Sequence, residues 1–193
     1  MLVEINTGRV GQMKSKELLK IIQVQRHDFL NHLQVISGLV QLNKSDKVLE
    51  YIKKVSGEMG ELAAITRLKI PELKAVLLIA INNCRKIQAE FVYQINPDLA
   101  QCTTAGSVLA QGVDECINLA LEKLSSPGVE DRRILFTLDE DDAQYRFKFG
   151  LPGLSSGEVE GLAGELKYCR AQSFEIDLAM TAGQGEIQLT VAK

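Results

Sequence analysis

The stretch Arg26-His27-Asp28-Phe29-Leu30-Asn31 holds the residue types and spacing best suited to chemistry. On a helix, Asn31 lies one turn beyond His27 on the same surface. Asp28 is adjacent and within reach of an imidazole nitrogen. An exposed imidazole is largely neutral near pH 7 and nucleophilic. A carboxylate accepting from one ring nitrogen would leave the other ready to attack phosphorus. Phe29 belongs to an apolar stripe, and His27, two steps or about 200° away, should face solvent. The spacing alone fits a plain surface histidine as well. The only other histidine, His32, is five residues on. Five steps of about 100° put the two rings on different faces, so they make a poor metal pair. His32, near the Leu33 side of the stripe, reads as a structural or solvated residue rather than a second acceptor.

The element that positions these residues is a long helix. From Lys14 to about Asn43 the apolar residues Leu18, Ile22, Phe29, Leu33, Ile36 and Val40 keep steps of three, four or seven. Such a helix is about 45 Å long. Asn43 to Asp46 is a polar break, with Ser45 or Asp46 as the expected N-cap. A second stripe follows: Val48, Ile52, Val55, Met59 and Leu62. Helices joined by so short a turn run antiparallel. A lone hairpin cannot bury both stripes, so a homodimer forming a four-helix bundle is expected.

Pro71 starts a different pattern. The spacing predicts helices over Pro71 to about Glu90 and Thr104 to Leu124, and a strand over Phe91 to Ile95. Alternating strands follow at 134–138 and 145–149, around an acidic turn at Asp139 to Asp142. Ser155 and Glu158 form a candidate capping box for one helix carrying Val159, Leu162, Leu166 and Cys169. A closing hairpin at 174–180 and 187–191 turns around Gly183 and Gly185. The fold class expected is α+β: an N-terminal helical hairpin over 1–70, then an α/β sandwich over 71–193 with helices on one face of a mixed sheet.

Composition narrows the function. The chain of 193 residues has 22 Lys and Arg against 25 Asp and Glu, a net charge of −3, which argues against nucleic-acid binding. No secretory signal and no apolar run of membrane length is visible, so a cytoplasmic protein is expected. Cys84, Cys102, Cys116 and Cys169 form no Cys-x-x-Cys and suit free thiols in a reducing compartment.

His27-Asp28-Phe29-x-Asn31-x-Leu33-Gln34-x-Ile36-x-Gly38-Leu39 resembles the phosphoacceptor helix of two-component histidine kinases of the sporulation-phosphotransferase type. The resemblance implies that His27 is phosphorylated, that Asp28 and Asn31 assist it, and that the hairpin dimerises. It also implies a GHKL-type ATPase domain after the hairpin, and 71–193 has the length and element order for one. The nucleotide-binding positions look degenerate. In the segment Glu115 to Leu121, aligned by its buried face, the position of the family's metal-binding amide holds Leu119. Asn118 would need a one-residue shift that turns Cys116, Ile117 and Ala120 off the core. In Phe149 to Leu154 the adenine-reading Asp is replaced by Phe149 and the first glycine by Leu151. Gly161 and Gly164 read as small residues in a packed helix.

The expectation is therefore a phosphotransferase that passes a phosphoryl group between aspartates of response-regulator receiver domains through His27. It has no cofactor of its own, and Mg²⁺ is supplied by the regulator. A cytosolic histidine kinase with an unusual ATP site and a non-catalytic dimeric adaptor are the alternatives.

Overall fold

The computed structural model describes residues 19, 22–23, 26–27, 29–162, 164–172, 174–181 and 184–193. The chain divides into two compact units, Met1–Thr66 and Arg67–Lys193.

The first unit is a helical hairpin. Helix α1 is continuous over 29–41, and the described residues before it, among them His27, are helical too. It ends because Asn43 adopts φ +51, a left-handed conformation that asparagine tolerates. The Lys44 N–H then reaches the Leu39 carbonyl at 3.0 Å, and the Asn43 N–H reaches that of Val40 at 2.9 Å. That pair of bonds satisfies the last carbonyls and reverses the chain. Helix α2 runs Ser45–Arg67. Ser45 and Asp46 are therefore inside the first turn rather than at the cap. Asp46 still favours the helix start by its charge. The apolar stripe of α1 is largely uncovered: Ile22 is 59% exposed, Phe29 49%, Leu33 46% and Val40 57%.

The second unit opens with α3, Pro71–Lys86, with proline in the first turn and Ile70 before it extended. The helix stops four residues short of the expected end, because Gln88 takes φ +56 and the Ala89 N–H turns back to the Cys84 carbonyl. Glu90 instead begins strand β1, Glu90–Ile95. Helix α4 spans Gly106–Leu124, starting two residues later than its pattern suggests. Strands β2, Arg133–Glu140, and β3, Gln144–Leu151, follow. The acidic turn is shorter than expected, since Asp139 and Glu140 remain in β2. The predicted single helix after Ser155 is two short ones, α5 at Ser156–Leu162 and α6 at Lys167–Ala171. Strands β4, Glu175–Thr181, and β5, Gln184–Ala192, close the chain. Gly185 is a strand residue paired with Leu151 and Met180, not part of a turn, and Gly183 lies outside the described residues.

The sheet order is β1-β2-β3-β5-β4, with β1 parallel to β2 and the other pairs antiparallel. Alternate residues of β2, β3 and β5 are buried, as one covered sheet face requires. Phe136, Phe147, Phe149, Ile187 and Leu189 on the strands and Leu77, Val113 and Ile117 on α3 and α4 are all buried and belong to the core. The expected mixed α+β architecture is what the chain adopts. Among the described residues no helix is long and apolar enough to cross a membrane.

The β2–β3 turn rests on Asp141. Its carboxylate accepts from the Ala143 N–H at 2.9 Å, from the Gln144 N–H at 3.0 Å and from Arg146. The Ala143 amide first, and the Arg146 guanidinium after it, hold its pKa below the usual carboxylate value. A depressed folded-state pKa gives stability that is present above the unfolded value and lost as pH falls through the folded one. Protection of the Ala143 and Gln144 amides, taken relative to the intrinsic exchange rate at each pH, is therefore expected to fall as the pH drops below the usual carboxylate range. An Asp141→Asn variant should lose that pH dependence.

Candidate functional site

His27 is on the exposed surface of α1, and the Asn31 Nδ2 lies 3.1 Å from its Nδ1. The spacing of four residues stacks the two side chains one turn apart, as the sequence suggests. Asp28, the third residue of the expected site, lies outside the described residues. The contact has a chemical consequence. A carboxamide offers an N–H₂ donor on one side and an oxygen acceptor on the other. With Nδ2 toward the ring, Asn31 donates to an Nδ1 lone pair. Turned by 180°, its oxygen accepts an Nδ1 proton and leaves the Nε2 lone pair for attack.

His32 takes the other role. It is half-buried, its Nδ1 is 3.0 Å from the Tyr51 hydroxyl of α2, and the two ring centroids are 5.9 Å apart. It is an interhelix contact, about 140° round α1 from His27.

The second unit carries a cavity of about 380 Å³ along the outer face of α4. Gln111, Asp114, Glu115, Asn118, Glu122 and Glu165 contribute its polar lining. Leu119 is 7% exposed and Asn118 is exposed at the cavity, so the core register chosen from the sequence is the one the helix adopts. Phe149 is fully buried. It lies across from Phe136 with ring centroids 5.3 Å apart, and it pairs with Ile187 on the other side. A side chain so placed in the sheet interior reads no ligand. Gly153 is explained by packing: a Cβ there would run into the Asp131 carbonyl and Val129. Four carboxylates around one cavity repel a polyanionic nucleotide. The lining holds no Lys or Arg to receive the phosphates, so the donor set does not fit Mg·ATP.

One functional feature was not visible in the sequence. The Glu115 carboxylate accepts from the Tyr168 N–H and from the Cys169 N–H, each at 2.8 Å, at the start of α6. These partners are more than fifty residues away, beyond the reach of local periodicity. The Cys169 thiol is pushed far up by its hydrogen bond with Cys116, then by burial, so it is inert rather than nucleophilic. Among the described residues no three His, Cys, Asp or Glu side chains converge as a metal site.

Comparison with known proteins gives these features a context. Residues 9–68 match the family model Sensor_kinase_SpoOB-type, alpha-helical domain. Sensor protein CitS of Halalkalibacterium halodurans is 25% identical over 158 residues, 78% of this chain and 29% of that protein. Sporulation initiation phosphotransferase B of Bacillus subtilis is 34% identical over 59 residues, 31% of each chain. The chain thus spans less than a third of the length of these curated relatives. Among solved structures, the catalytic domain of histidine kinase ThkA superposes with a TM-score of 0.50 at 14% identity, covering 63% of this chain and 91% of that one. ThkA in complex with response regulator protein TrrA gives a TM-score of 0.52 at 13% identity, covering 100% of this chain and 67% of that one. At that identity the likeness shows the fold alone.

Proposed function

With a SpoOB-type sensor-kinase helical domain at its N-terminus and a histidine-kinase-like α/β fold after it, we propose that this chain is a phosphorelay phosphotransferase acting through His27. The observation that carries the proposal is the His27–Asn31 pair on an exposed helix face. The donor is the phospho-aspartate of a response-regulator receiver domain. The His27 Nε2 attacks phosphorus, the Nε2–P bond forms, and the P–O bond to the aspartate breaks with its electron pair left on the carboxylate. The Nδ1 proton, held by the Asn31 oxygen before attack, is released to water. Asn31 then turns its Nδ2 to the Nδ1 lone pair of the phosphohistidine, the orientation that the unphosphorylated side chains also adopt at 3.1 Å. A second receiver aspartate reverses the sequence. Both displacements are in line, so catalysis is positioning and charge neutralisation, with Mg²⁺ supplied by the receiver. Asp28 would assist from the adjacent position. The test is incubation with a receiver domain charged by acetyl phosphate. An acid-labile phosphoryl group on His27 is expected, and its absence would sink the proposal.

The same proposal includes a homodimer. Its support is the uncovered stripe of α1, continued by Ile52 on α2, which is 41% exposed. Two hairpins packed side by side would bury both stripes, as a four-helix bundle does. Leu33→Asp puts a carboxylate in that seam and is expected to yield monomers by sedimentation velocity, with the helical circular dichroism signal reduced. A wild-type chain that sediments as a monomer at tens of micromolar would refute the bundle.

A further inference from the structure

The connection between β3 and β4 is tied to α4 at three levels, all within the second unit. Glu115 accepts two backbone N–H groups at the start of α6, from Tyr168 and Cys169, at 2.8 Å each. Two turns along α4, the Lys123 Nζ meets the Glu165 Oε1 at 2.8 Å. One turn back, the Cys169 Sγ–H points to the Gly112 carbonyl at 3.4 Å. The approach there is close enough that a Cβ on Gly112 would stand 2.8 Å from the Phe174 ring. Leu162, Leu166 and Cys169 are fully buried beneath these contacts.

Backbone N–H groups at the start of a helix commonly receive a phosphate or a carboxylate. Here the carboxylate belongs to the chain itself, and hydrogen bonds to an ionised acceptor are roughly twice as strong as neutral ones. The cavity beside it is acidic, so a nucleotide gains nothing by displacing Glu115.

We infer that Glu115 is a built-in anion that closes the β3–β4 connection onto α4 without any nucleotide. This inference rests on the reading that the domain takes no Mg·ATP. That connection is then held on α4 whether or not a ligand is present.

Residue-resolved amide exchange by NMR on the full chain tests it, with and without Mg·ATP. In Glu115→Ala, the Tyr168 and Cys169 amides are expected to exchange at least tenfold faster, with Phe147 and Leu189 in the sheet unchanged. Unchanged exchange at Tyr168 and Cys169 would overturn the inference. If Glu115→Ala also loses the sheet's protection, Glu115→Gln decides. Its single acceptor oxygen should hold one of the two amides and release the other, and retention of both would overturn the inference. The wild type is expected to show no added protection with Mg·ATP. Protection appearing around the cavity would overturn the no-nucleotide reading instead, whatever Glu115 does.

Discussion

His27→Gln is expected to lower phosphoryl transfer to the chain by at least about a thousandfold, because it removes the group that in the proposed reaction forms the bond to phosphorus. Glutamine keeps the polarity and much of the length of histidine but has no nucleophilic nitrogen. His27 is exposed, so the fold should be untouched, with stability changed by about 0.5 kcal/mol or less. Dimerisation and helical content should match the wild type, which separates lost chemistry from lost structure. Asn31→Ala tests the geometry. It leaves the nucleophile and removes the group that holds Nδ1. A decrease of about tenfold, equal to about 1.4 kcal/mol in the barrier, is expected. Initial rates from a charged receiver domain measure both. His27→Gln transferring at the wild-type rate would move the phosphoacceptor elsewhere.

Phe149→Ala is expected to destabilise the second unit by about 3–5 kcal/mol, a fall in Tm of roughly 10–20 °C. The side chain is fully buried between Phe136 and Ile187, so its removal leaves a cavity that the sheet cannot close. Phe149→Asp is the more informative change. It introduces the residue type that the resemblance to nucleotide-binding kinases would place here. In this sheet it buries a carboxylate beside Phe136, with loss of folding rather than gain of ATP affinity expected. Thermal denaturation and direct nucleotide titration of the two variants check both statements. A well-folded Phe149→Asp chain that binds Mg·ATP would contradict this account of the cleft.

The parts that could be read from the sequence are those governed by local periodicity. Leu33, Ile36 and Val40 recur at helical spacing. Phe136 and Leu138 alternate as a half-buried strand requires. The step of four from His27 to Asn31 places the two side chains together. Periodicity misled where a break costs little. Val159, Leu162, Leu166 and Cys169 keep helical steps, yet the chain turns before Leu166, with the Glu165 N–H bonded to the Leu162 carbonyl. The end of α3 was missed because the left-handed residue that stops it is Gln88, not a glycine. Glu115 was missed for a different reason. A carboxylate in the middle of a helix has the sequence signature of a solvated residue. Only the tertiary fold brings the start of α6 to it.

The central claim is that phosphoryl groups reach His27 from aspartate and not from ATP. The direct measurement presents the purified chain, in parallel, with a receiver domain charged by acetyl phosphate and with γ-labelled Mg·ATP, and follows acid-labile phosphohistidine by mass spectrometry. The account predicts His27 phosphorylated by the receiver within minutes, and no phosphohistidine from ATP over hours. Phosphohistidine formed from ATP alone, absent in His27→Gln, would make the chain a histidine kinase and contradict it.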